Sequence, residues 1–125
     1  MNETLRHVNR IARYVPSIDA EPFDPAEVGI VVCHGGAGLV AEALQAGRPV
    51  VILPQTYEQW MLGQRVHALG AGILVAGHFQ AESLRCALRE IQEPRYKLAA
   101  LAFAKKYPWE DVAAKVAGML VELVQ

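Results

Sequence analysis

Val28-Gly29-Ile30-Val31-Val32-Cys33-His34-Gly35-Gly36-Ala37-Gly38 is the stretch that decides the fold. Its first six residues form a continuous apolar run rich in β-branched side chains, the composition of a strand buried on both faces of a parallel sheet. Gly35, Gly36 and Gly38 follow, and a helical stretch runs directly behind them from Ala37 to Ala46. Gly47 closes that stretch in the position of a helix C-cap. Strand, glycine turn and helix together make one unit of an α/β layer structure.

Downstream the unit recurs. Pro49 to Leu53 reads as a strand stopped by Pro54, and Glu58 to Leu69 is helical in period. Gly70-Ala71-Gly72 then punctuates before a short strand from Ile73 to Ala76. The remainder predicts helices over Gln80 to Gln92, Arg95 to Lys106 and Asp111 to Val124, separated by Pro94 and Pro108. In the last of these, Val112, Val116, Met119, Leu120 and Leu123 share one face, as a packing helix requires. Upstream, Arg10 to Val15 is a strand candidate stopped by Pro16, and Ser17 to Glu27, with Pro22 and Pro25, suits a connecting loop or short helix. The expectation is a single α/β domain over residues 1–125, a Rossmann-like parallel sheet flanked by helices, with a helical segment over 80–125.

Composition supports this and narrows the function. With 53% apolar residues in 125, the chain has material for a core, and its length suits one domain. A formal net charge of −1 gives no broad electrostatic footprint for nucleic acid or anionic lipid. No uncharged run approaches the ~20 residues that a membrane helix needs, and Met1 to Arg10 is mostly polar, so neither anchor nor leader is expected. Cys33 and Cys86 lie in apolar patterns without metal spacing and read as reduced core residues of a cytoplasmic chain.

The candidate site runs from His34 to Gln59. Glycines let a backbone approach a ligand closely, and a helix start offers unpaired N–H groups that favour an anion such as a diphosphate. In an open parallel sheet, ligands sit beyond the carboxyl ends of the strands, where this loop lies. Its spacing is neither the G-x-G-x-x-G of dinucleotide binding nor a P-loop. A tight turn serving only helix–strand packing is the plain alternative. Three further features favour a ligand. His34, at the strand end, can donate to a phosphate oxygen. Glu42, one helical turn beyond Gly38, can accept from a ribose diol. Glu58-Gln59, on the next strand–helix loop, pairs a carboxylate with an amide, a combination suited to sugar hydroxyls.

The series His34-Gly35-Gly36-Ala37-Gly38-x-x-x-Glu42-Ala43-Leu44-x-x-Gly47-x-Pro49, then Pro54 and Glu58-Gln59, resembles the donor-binding signature of GT-B nucleotide-sugar glycosyltransferases. The UDP-glycosyltransferase and macrolide-glycosyltransferase group is the nearest in look. Leu69-Gly70-Ala71-Gly72 is similar to the family's continuation. The resemblance implies a truncated C-terminal GT-B half domain. His34, Gly35, Gly36, Ala37 and Gly38 would then hold the donor diphosphate, Glu42 the ribose, and Glu58 with Gln59 the donor sugar. It also implies inverting transfer to an acceptor hydroxyl without a metal or other cofactor, the UDP-sugar being a substrate. The acceptor domain, and with it the general base, would be supplied by a missing domain or partner subunit.

Some residues depart from the pattern. Leu39 stands where the family commonly has Ser or Thr, and Leu62 where Asn is frequent. No residue from Pro16 to Ala20 supplies the base-stacking aromatic, for which Tyr14 is only an approximate candidate. His67 and His78 read as structural or exposed, nothing assigns His7 a role, and Trp60 and Trp109 read as packing or interface residues. These departures keep a second expectation in play, a non-catalytic nucleotide-binding or interaction module that forms a homodimer. A third stays within GT-B: the peptidoglycan N-acetylglucosaminyltransferases and the split enzymes of lipid-linked oligosaccharide synthesis have a similar glycine loop and downstream Gln.

Overall fold

The computed structural model of the chain describes residues 29–75, 80–108 and 112–124. Three strands and five helices follow in order: β1 (Val31–Cys33), α1 (Ala37–Gln45), β2 (Val50–Ile52), α2 (Tyr57–Ala68), β3 (Gly72–Leu74), α3 (Ala81–Glu90), α4 (Pro94–Lys106) and α5 (Val112–Val124). The strands form one parallel sheet in the order β1-β2-β3, with Cys33 opposite Ile52 and Ile52 opposite Leu74. Each regular strand is shorter than its apolar run, although the ladder continues through Leu53 N–H to Cys33 O and Val75 N–H to Ile52 O. The strand candidate at Arg10 to Val15 and the segment from Ser17 to Glu27 lie outside the described residues.

Alternation along the strands distributes the core over two faces. Val31, Val50 and Ile52 pack with Val40, Ala43 and Leu44 of α1, Val66 of α2 and Ala100 of α4. On the opposite face, Val51 and Ile73 pack with Ala87 of α3, Ile91 and Tyr96. Helices thus cover both sides of β2, which explains why its Val-Val-Ile triplet is buried throughout. On β1, Val32 is 43% exposed, since no described helix lies over it.

Both returns from helix to strand use the same device. Gly47 (φ +73°) and Gly70 (φ +75°) adopt the left-handed conformation just beyond α1 and α2. Gly47 N–H then bonds Leu44 O while Arg48 N–H bonds Ala43 O; Gly70 N–H bonds His67 O while Ala71 N–H bonds Val66 O. These are Schellman pairs, which satisfy the last helical carbonyls and turn the chain into the next strand. Pro94 begins α4 as its first residue, a position where its missing N–H is harmless.

The last helix departs from expectation. The sequence pattern predicts packing along its apolar face, yet Val116, Met119, Leu120, Val121, Leu123 and Val124 are all exposed. Among the described residues no element covers that face.

Ile52 is fully buried where α1, α2 and the glycine loop converge. Ile52→Ala is expected to reduce unfolding free energy by about 2–5 kcal/mol, the range for emptying a packed aliphatic site. Urea unfolding followed by circular dichroism checks this, with an unchanged denaturant slope marking an intact fold.

Candidate functional site

Because β1 and β2 are parallel neighbours, their carboxyl ends deliver two loops to one rim of the sheet. Residues 34–36 lead into α1, and residues 53–56 lead into α2. Three contacts join the loops. Leu53 N–H donates to Cys33 O at 2.8 Å, and His34 Nδ1 lies 3.0 Å from Leu53 O. Gly35, buried at φ +105°, leaves no room for a side chain: a Cβ there would come within 2.9 Å of Ile52 Cγ2 and 3.3 Å of Gln59 O. Only glycine meets both the conformation and the clearance.

The start of α1 is open. Its N-cap is Gly36, without any side-chain cap, and the first turn holds no acidic residue. The first helical bond runs from Val40 N–H to Gly36 O, so the N–H groups of Ala37, Gly38 and Leu39 have no helical acceptor. Nothing lies within 4 Å of a Cβ built at Gly36 or Gly38, which leaves this end open to an anion. Leu39 packs its side chain against the core beside Val40 and Leu44, and Leu62 does likewise from α2. The two departures from the family pattern are therefore core contacts, and the Leu39 backbone N–H still belongs to the open turn.

The start of α2 is closed by comparison. Thr56 is its N-cap and accepts from Gln59 N–H, while the Gln59 side chain reaches back to the N-cap N–H. This capping box, Thr56-x-x-Gln59, is a sequence signal that marks the closed helix start. Beside it, the rings of Tyr57 and Trp60 stack with centroids 5.7 Å apart, and Tyr57 is 72% exposed.

The structure brings His34, Gly35 and Gln59 together. Gly36, Ala37 and Gly38 are exposed around the open helix end, Glu42 is exposed one turn further along α1, and Glu58 is exposed in the first turn of α2. Among the described residues no group of three metal-ligating side chains forms, and no helix is long and apolar enough to cross a membrane. His67 is exposed near the end of α2. His7, Tyr14, His78 and Trp109 lie outside the described residues.

His34 carries a restriction that its position in the sequence does not reveal. The Leu53 carbonyl can only accept, so Nδ1 holds the proton, and the neutral ring offers Nε2 as an acceptor. A phosphate oxygen also only accepts, so His34 can donate to it only as imidazolium. Nucleoside-diphosphate affinity is expected to fall severalfold in His34→Ala, the loss of roughly one hydrogen bond. Unchanged affinity in fluorescence titrations would remove His34 from the anion contacts.

The cysteines separate by environment. Burial pushes the Cys33 thiol up, partly offset by the Gly35 backbone hydrogen bond, whereas Cys86 is exposed on α3 and is no core residue. The apolar pattern misleads at Cys86 because it falls on the outer side of an amphipathic helix, beside Glu82 at 3.8 Å. With its folded value raised, Cys33 keeps its proton where an unfolded thiol loses it. Its contribution to stability is present below the ordinary thiol range near pH 8.5 and is lost as pH rises beyond it. Iodoacetamide at neutral pH is expected to label Cys86 alone in the native chain and both thiols in denaturant, counted by mass spectrometry.

Known proteins resemble this chain in sequence and fold. The family model for the erythromycin biosynthesis protein CIII-like C-terminal domain matches residues 2–123. The vancomycin aglycone glucosyltransferase of Amycolatopsis orientalis is 36% identical over 98 residues, covering 78% of this chain and 24% of that protein. A sterol 3-beta-glucosyltransferase of Arabidopsis thaliana is 36% identical over 89 residues, 69% of this chain and 14% of that one. Among solved structures, the Streptomyces sp. SF2575 glycosyltransferase SsfS6, complexed with thymidine diphosphate, superposes with a TM-score of 0.55 at 31% identity, covering 63% of this chain and 21% of that one. Spinosyn rhamnosyltransferase superposes with a TM-score of 0.64 at 25% identity, covering 75% and 26%. The chain therefore spans about a quarter or less of each of these proteins.

Proposed function

The chain belongs to the family of erythromycin-biosynthesis-protein-CIII-like C-terminal domains, the C-terminal domain of GT-B glycosyltransferases, and from that premise we propose that it binds the nucleotide-sugar donor of an inverting sugar transfer. The observation that carries this is the uncapped start of α1 behind Gly35 and Gly36, held against the start of α2 where Glu58 and Gln59 stand. The Ala37, Gly38 and Leu39 amides, with Gly35, Gly36 and His34, take the donor diphosphate. Glu42 takes the ribose diol, and Glu58 with Gln59 takes the sugar.

The donor is a UDP- or TDP-linked sugar, and the diphosphate is held by N–H groups and the helix dipole rather than by a metal. An acceptor-binding part from outside these 125 residues provides the acceptor hydroxyl and the base that deprotonates it. That hydroxyl oxygen attacks the anomeric carbon as the bond to the diphosphate oxygen breaks, and the nucleoside diphosphate leaves with the bonding electrons. The donor domain contributes by fixing the leaving group and the sugar relative to the incoming hydroxyl.

The exposed apolar face of α5 favours a second reading, a nucleotide-binding or interaction module that pairs with another copy and transfers nothing. Light scattering that finds a monomer removes its dimeric half.

Calorimetric titration with UDP, TDP and their glucose conjugates tests the donor assignment. Binding is expected to survive EDTA and to weaken by about 1–3 kcal/mol in Glu42→Ala, the range for losing a charged hydrogen bond. Absence of binding by any of the four up to millimolar concentration would overturn the proposal.

A further inference from the structure

Gln59 does two things with one carboxamide. Its Oε1 accepts from Gln55 N–H at 2.8 Å and from Thr56 N–H at 3.2 Å. Thr56 Oγ1 accepts in return from Gln59 N–H at 3.2 Å. Both groups facing the amide oxygen are donors, so a flipped carboxamide would set its NH2 against two N–H groups and break the cap. The orientation is therefore chemically determined. Among the described residues Nε2 has no hydrogen-bond partner. The Gln59 backbone is meanwhile pinned beneath the glycine loop, its carbonyl and Cβ lying 3.3 and 3.4 Å from where a Gly35 Cβ would be.

Resting on the donor reading above, we propose that Thr56 is a positioning residue for the sugar. Through the capping box it holds Gln59 so that the site offers the sugar amide N–H donors and no amide carbonyl. The group that meets Gln59 is then an oxygen acting as acceptor, such as a hydroxyl lone pair or a ring oxygen. Glu58, exposed one residue earlier in the same helical turn, supplies the complementary polarity, since a carboxylate only accepts. Adjacent hydroxyls of the sugar are read by one acceptor and one donor, and the donor's polarity is set by the helix end.

Glutamate at position 59 separates the two jobs. It keeps an oxygen for both backbone amides and places a negative charge at the helix start, which the dipole favours, but it has no N–H to give. The test is calorimetric titration of the full chain with UDP, UDP-glucose, TDP and TDP-glucose, together with thermal melts, for wild type, Gln59→Glu, Thr56→Ala and Thr56→Ser. The readout is the ratio of nucleotide-sugar to nucleotide affinity, which cancels any general damage to the domain.

The ratio is expected to exceed one in wild type. It should fall by about five- to tenfold in Gln59→Glu and Thr56→Ala, the loss of roughly one hydrogen bond, and return in Thr56→Ser, with Gln59→Glu melting no lower than wild type. A ratio unchanged in Thr56→Ala, or not restored by serine, overturns the positioning role. A ratio unchanged in Gln59→Glu overturns the donor polarity, and a lower melt of that variant overturns the orientation argument. If Thr56→Ala does not fold, Thr56→Ser and Gln59→Glu still decide. Wild type binding nucleotide and nucleotide sugar alike would overturn the sugar reading itself and this assignment with it. That failure is distinguishable, because the Gln59→Glu melt would still report the cap.

Discussion

The rim of this domain depends on residue 35 having no side chain. Gly35 sits over Ile52, against Gln59, at a φ of +105°. A methyl group there meets a hard contact and a backbone conformation that disfavours L side chains by about 1–3 kcal/mol. The close approach brings two strand–helix loops into contact, so that a residue on β2's loop can share a site with a helix launched from β1. The hydrogen bonds from His34 and Leu53 hold that contact in register.

Two helix ends meet at this junction, and they are treated in opposite ways. The start of α2 is satisfied from within by Thr56 and Gln59, which fixes its geometry. The start of α1 is left open, with glycine as N-cap and no carboxylate in its first turn. Glycine as N-cap forgoes about a few tenths of a kcal/mol of helix stability relative to a Ser, Thr, Asn or Asp cap. In the function proposed above, the donor's diphosphate takes the place of that cap. On that proposal the rigid end positions and the open end binds.

Much of this was legible in the residues. The Val-Val-Cys and Val-Val-Ile runs, the glycines that end two helices, and Pro94 as a break between helices mark the elements to within a few residues, because each acts over a single turn. The region of the site was legible for the same reason, since strand ends and helix starts are local events. What escaped depends on partners distant in the chain. Cys86 and the apolar face of α5 carry the same pattern as buried residues and are exposed, because periodicity names a face without naming what covers it. The tautomer of His34 is decided by a carbonyl nineteen residues away. The Thr56-x-x-Gln59 box is a motif in the sequence, but its Gln is also half of a carboxylate–amide pair suited to a sugar, and the sequence does not separate the two roles.

The Schellman glycines, Gly47 and Gly70, occupy the rim opposite the site. The parallel sheet thus sorts the domain into a face of turns that only reverse the chain and a face of loops that carry the candidate site. Substitutions accumulate on the two faces under separate pressures, foldability on one and recognition on the other. On the proposed function, a lineage can exchange one donor for another by redrawing the loops after β1 and β2, while the glycine returns continue to deliver the same scaffold.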